Sequence, residues 1–192
     1  SADTKPGKKS AAAAPKLPEG TGANVETGPI TQDGKFTRLT QAITVRHPRD
    51  KVWAFMGDIE KVATCMPGVT LDGPPEDGHI EGRMLVKLGP ISADLKGEAD
   101  VTRDEDAWRG AIDGRGRDSR SASMANGRVE YALEEAEGDA TRIEVSVAYS
   151  LAGPLAQFSR GALVRDLVGR LASAFAHNLE ARLSGRETPA QS

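Results

Sequence analysis

Three histidines, His47, His79 and His177, are the residues of this chain best suited to acid–base or metal chemistry, and they are scattered. No HExxH, paired CxxC or histidine-rich spacing is present to hold zinc, so no metal site is expected. The single cysteine, Cys65, has neither a second cysteine nor an adjacent base. It reads as a buried structural thiol rather than a nucleophile, and it argues for a reducing compartment. Glycines 110, 114 and 116 fall on a strand-like stretch and lack the strand–turn–helix setting a phosphate loop requires. Arg109, Arg115 and Arg117 share one parity of that stretch, with Arg120 and Arg128 nearby. They form a basic face with no interleaved aromatics, which speaks against single-stranded nucleic acid. The face is either solvated or a docking surface for an acidic partner. His177 is expected on the exposed face of a helix. No catalytic residue is assigned.

The elements that would position any site are legible. Residues 153–183 place Val164, Leu167, Val168, Leu171, Phe175 and Leu179 on one stripe at 100° per residue. Ser159, Asp166, Arg170, Ser173, His177 and Glu180 fall opposite, as in a long amphipathic helix. Pro154 suits its first turn and Gly185 its stop. At 1.5 Å per residue the helix would span about 45 Å and needs an equally long apolar surface to lie on.

That surface is a series of strands. Residues 36–47 suggest a first one, and two short helices follow Pro48, closing at Pro67 and Gly68. After 69–71, alternation becomes regular. Ile80, Gly82, Met84, Val86 and Leu88 share one parity, as do Ile91, Ala93, Leu95, Gly97, Ala99 and Val101. Trp108, Gly110, Ile112, Gly114 and Gly116 follow, then Met124. Val129, Tyr131 and Leu133 change parity, which suggests a bulge at Asn126-Gly127. Ile143, Val145, Val147, Tyr149 and Leu151 complete an antiparallel meander.

Residues 1–35 hold four prolines among Gly, Ala, Lys and Thr, and almost no large apolar residue. They read as a disordered tether or linker. Residues 36–186 are the expected domain and 187–192 a polar tail. Net charge is −3 with interspersed signs, and no apolar run approaches the ~18 residues of a membrane span.

A first strand, two small helices, a curved antiparallel sheet and a long C-terminal helix against its concave face make an α+β helix-grip fold. The pieces VWAFMGDIEKVATCMPG, VKLGPISADLKGEADV and GPLAQFSRGALVRDLVGRLASAFAHNLEARL resemble the carbon monoxide dehydrogenase G-subunit family. That family lies within the START-like superfamily of polyketide cyclases and lipid-transfer domains. The resemblance implies a cytoplasmic accessory to molybdenum-containing hydroxylases of the carbon monoxide and xanthine dehydrogenase type. It further implies a quinone or lipid ligand, with membrane association peripheral or indirect. The concave parity gives the expected pocket walls: Met84, Val86, Val101, Ile112, Met124, Val145, Val147, Leu167 and Leu171. Trp53, Phe55, Met56, Met66 and Pro67 form the expected rim, and Arg109, Arg115 and Arg117 the docking face. None of the concave positions so assigned is ionisable, so a non-catalytic binding module is favoured over a cyclase-like enzyme working in the same pocket.

Overall fold

The computed structural model describes residues 24–159 and 161–185. It contains nine strands, three α-helices and one short 3-10 turn. The strands are β1 (Asn24–Thr27), β2 (Thr31–Asp33), β3 (Phe36–Val45), β4 (Val69–Leu71), β5 (His79–Leu88), β6 (Ile91–Asp104), β7 (Arg109–Asp118), β8 (Met124–Ala136) and β9 (Ala140–Ala152). The helices are α1 (Arg49–Met56), α2 (Ile59–Cys65) and α3 (Ala162–Leu183). The strands form one antiparallel sheet in the order β1-β3-β9-β8-β7-β6-β5-β4, with β2 also paired to β3. The α+β helix-grip architecture is therefore the one expected.

Local chemistry explains the joints. Asp58 caps α2 by accepting the Lys61 N–H at 3.2 Å, filling an otherwise orphaned donor. The β7–β8 loop is tied down by Ser123, which is fully buried and whose Oγ accepts the Leu155 N–H at 2.9 Å. Gly153 meets this loop with φ 79°, and a Cβ there would lie 2.6 Å from the Ala122 carbonyl. Only glycine fits that approach.

Four expectations need correcting. First, the ordered domain begins before residue 36, because β1 and β2 lie within the stretch expected to be a tether. Neither has the alternating apolar signal of a strand; β3 holds them through main-chain pairing. The remainder of that stretch, 1–23, and the expected tail lie outside the described residues. Second, residues 153–183 are not one helix. Pro154–Phe158 form the 3-10 turn, and α3 starts after Gly161, whose extended backbone breaks the path. Third, β8 pairs without interruption from Met124 to Ala136, so there is no bulge at Asn126-Gly127. Fourth, Glu180 is buried rather than on the wet face. It accepts the Arg46 N–H at 3.1 Å and lies 3.7 Å from His47 Nε2.

Candidate functional site

Pairing register fixes which side chains face α3. In one row across the sheet, Val101, Ile112, Val129, Val147 and Leu39 are cross-strand neighbours. A row toward one end holds Arg103, Gly110, Tyr131, Val145 and Gln41; a row toward the other holds Ala99, Gly114, Gly127, Tyr149 and Thr37. All these residues lie on the inner face.

The interior is packed at its ends rather than throughout. One core joins Ile43, Val45, Val52, Trp53, Tyr131, Leu133 and Ile143 to Ala172, Ala176 and Leu179 of α3. A second gathers Leu88, Ala93, Leu155 and Val164, with Val86, Leu95, Leu167 and Val168 partly buried against them. Between the two, Met84, Val101, Ile112, Val129 and Val147 face inward yet stay only half-buried and belong to neither core. Leu171 on α3 is likewise half-buried and in neither core. The backbone of the helix comes nearest to β1 and β3 on one side and to β5 and α2 on the other. Large apolar side chains left accessible on an inner face mark unfilled space. Gly114 and Gly127 widen it, since a Cβ at either would meet nothing closer than 3.7 Å and 3.8 Å respectively. Other inward glycines serve different ends: a Cβ on Gly110 would strike the Tyr131 ring at 2.2 Å, and one on Gly97 the Arg115 carbonyl at 1.9 Å.

Of the expected wall residues, Met84, Val86, Val101, Ile112, Val145 and Val147 are on the inner face, and Leu167 and Leu171 are on α3. Met124 is not a wall residue. It pairs with Arg117 and Ala152 on the outer face and is 45% exposed. With no bulge, the inward positions are Ala125 and Gly127; the larger methionine suggested the wrong parity. Trp53 is not rim either. It is 9% exposed, inside the first core, edge-on to Trp108 at 5.7 Å. Phe55 and Met56 pack partly buried against that core, while Met66 and Pro67 are half-buried after α2. Cys65 is fully buried, and burial pushes its thiol pKa up. His177 is half-buried, with a buried, unpartnered Nδ1, rather than exposed.

The inner face also carries polar groups that the binary pattern hid. Arg103 continues the parity of Val101 past the point where apolar residues stop. Its guanidinium stacks 3.7 Å from the Trp53 ring centroid, and Nη2 donates to the Trp53 carbonyl at 3.0 Å. Its Nη1 is buried without an acceptor. Tyr131 lies beside it with its pKa raised by burial, an effect the neighbouring Arg103 guanidinium offsets in part. Tyr149, similarly raised by burial, donates its hydroxyl to the Ser159 carbonyl at 2.6 Å.

On the outer face, Arg109, Arg115 and Arg117 are exposed as expected. Arg115 is committed to Glu98 at 2.7 Å and reaches Asp100 at 3.6 Å. A shallow polar groove of about 530 Å³ also lies there, bordered by Thr40, Arg109, Arg128, Glu130, Glu134 and Glu144. His79 joins Glu81 and Glu98, whose ligand atoms lie within 4.8 Å of one another. The cluster is solvent-facing and already neutralised in part by Arg115, and its chemistry is that of a surface ion network.

A family model described as CoxG, the G subunit of carbon monoxide dehydrogenase, matches residues 42–184. A search of curated proteins returned no match. Among solved structures, the chain is similar to a conserved protein from Geobacillus kaustophilus at TM-score 0.64 and 14% identity, covering 77% of this chain and 95% of that one. It is also similar to the Zhui aromatase/cyclase from Streptomyces sp. R1128, at TM-score 0.57 and 14% identity over 78% and 94% of the two chains. The human StarD13 lipid transfer and protein localization domain matches at TM-score 0.52 and 9% identity, over 81% and 84%. At these identities the likeness is one of fold.

Proposed function

The chain belongs to the CoxG family of carbon monoxide dehydrogenase, and from that premise we propose that it is a non-catalytic accessory module of a molybdenum-containing hydroxylase. It holds an apolar molecule, a quinone or a lipid, between the sheet and α3, and it serves recruitment, assembly or electron hand-off. The observation that carries this reading is the band of half-buried apolar side chains, Met84, Val101, Ile112, Val129 and Val147, set between two packed cores. Apolar surface held open inside a fold gains free energy when a ligand covers it, at about 25 cal/mol per Å². The band itself carries no carboxylate, imidazole or thiol, so a proton-transfer step has no titrating group there to use. In this role the module works in the cytoplasm and meets the inner membrane face only peripherally. Among the described residues no helix is long and apolar enough to cross a membrane.

A second reading, a cyclase-like enzyme acting on a hydrophobic molecule in the same space, is favoured by Arg103 and Tyr131 beside the band. Mass spectrometry of ligand recovered after incubation separates the two, because a carrier returns its ligand unchanged.

The test is titration with a menaquinone analogue and with a fluorescent fatty acid. Saturable binding that Ile112→Trp abolishes, and that Met124→Trp on the outer face leaves intact, supports the reading. Absence of binding by either probe at high micromolar concentration overturns it.

A further inference from the structure

Pairing register arranges the charges of the outer face in rows, and one row differs from its neighbours. Arg83, Lys96 and Arg117 are direct cross-strand neighbours on β5, β6 and β7, and Met124 on β8 ends the row. All four are exposed. Like charges directly opposite one another on a sheet repel and destabilise it. In the two rows beyond, cations and carboxylates are joined: Arg115 to Glu98 at 2.7 Å, His79 to Asp100 at 2.7 Å, and Arg128 to Asp113. Arg83 finds Asp94 at 3.0 Å. Lys96 and Arg117 have no carboxylate within ion-pairing distance among the described residues.

The same row is bordered by apolar surface. Among the described residues three large apolar side chains are exposed, and two of them lie here. Met124, 45% exposed, stands directly across from Arg117. Leu85, 51% exposed, follows Arg83 by two residues and so shares its face of β5. With strands about 4.8 Å apart, the row is about 14 Å long, with free cations in the middle and an uncovered apolar side chain on either side. Covering those side chains stabilises a complex by about 25 cal/mol per Å², and a carboxylate from outside supplies what the sheet itself lacks. The basic face expected from the sequence reduces to this row. Arg115 is taken by Glu98, and Arg109 lies at the other end of β7, paired in register with Asp104 and Ala132.

We propose that the row Arg83–Lys96–Arg117, with Leu85 and Met124, is the surface by which this module docks on the hydroxylase, and that the partner presents an acidic protein surface there. Its carboxylates reach Lys96 and Arg117, and apolar side chains beside them cover Leu85 and Met124. The proposal deepens the accessory role and rests on it. A neutral or basic surface would leave the repulsion within the row uncompensated, so the row discriminates by charge. Complementarity of this kind sets orientation and association rate more than raw affinity, and salt weakens it.

The experiment measures the affinity of the full chain for purified molybdenum hydroxylase subunits at low and at high salt, alongside Lys96→Glu, Arg117→Glu and Arg109→Glu. Lys96→Glu and Arg117→Glu should each weaken binding at least about tenfold at low salt, while Arg109→Glu on the same face stays within about twofold. Lys96→Glu also puts a carboxylate between Arg83 and Arg117, so the isolated variant should melt at a higher temperature even as it binds less well. Unchanged affinity in both row variants overturns the docking surface while the accessory reading stands, and so does an equal loss with Arg109→Glu. Vesicles of phosphatidylglycerol and phosphatidylcholine are the second arm. Vesicle binding that the row variants abolish, with hydroxylase affinity intact, gives the row to a lipid surface and overturns the proposal. No affinity of the unmodified chain for the hydroxylase overturns the accessory reading as well. Salt-independent affinity of the unmodified chain overturns the docking surface even if no variant folds.

Discussion

Leu171 and Leu179 stand two turns apart on α3, and the sequence treats them alike. The structure does not. Leu179 is fully buried in the first core, whereas Leu171 is half-buried and belongs to neither core. Leu179→Ala should therefore cost about 2–5 kcal/mol by loss of burial and cavity formation. Leu171→Ala should cost about 1 kcal/mol, because the side chain is only half-buried and less surface is uncovered. Urea unfolding of the two variants checks this, and equal losses would mean that the space beneath Leu171 is filled. A second residue-scale expectation concerns His79. Its pKa is raised, first by the hydrogen bond between Nδ1 and Asp100 Oδ1 at 2.7 Å and then by nearby Glu98 and Glu81. A raised folded-state value means that the stabilisation is fully present below the ordinary histidine value near 6.5 and fades as pH rises through the folded pKa. The site is exposed, so the effect on stability is small. An NMR titration of the imidazole should nonetheless give a midpoint above 6.5, and Asp100→Asn should lower it.

The elements most legible in the sequence were those with a two-sided contrast. β5, β6 and β9 alternate apolar and polar positions over long runs, and pairing register confirms the inner set. β1 and β2 gave no signal because edge strands are held by main-chain bonds to β3, which no side-chain pattern encodes. Met124 misled because β8 begins with small inward residues, Ala125 and Gly127, so the one large side chain drew the parity. Arg103 was missed for a related reason: a binary pattern has no symbol for an inward cation. The start of α3 was placed too early, since Pro154 is as good an opening for the 3-10 turn as for an α-helix. That turn depends on Ser123 as its acceptor. Ser123→Ala would leave the buried Leu155 N–H unsatisfied and should cost about 1–3 kcal/mol. A loss of only a few tenths in thermal melts would mean that the β7–β8 loop and the turn are not mechanically joined.

For the whole molecule, the boundary of the fold decides how a partner role is tested. Removing residues 1–34 would take β1 away from β3, along with Val25 of the first core and the Arg165 bond to the Thr27 carbonyl at 3.5 Å. Such a truncation should unfold at lower temperature than one beginning at Ala23. The truncation at Ala23 is therefore the one to compare with the full chain in recovering molybdenum hydroxylase subunits. Weaker recovery would place docking in residues 1–22, and equal recovery in the folded domain. Recovery by neither would remove the accessory role. The way α3 is supported has a mechanical consequence as well. Its first turns rest on the second core, its last turns on the first core, and between them lie Gly169, with nothing within 4 Å of a would-be Cβ, and Leu171, which joins neither core. A beam held at both ends and weakened at mid-span yields in the middle. Amide hydrogens from Gly169 to Leu171 should exchange with solvent deuterium faster than those from Ala176 to Ala181, and a ligand seated under the span should slow them first.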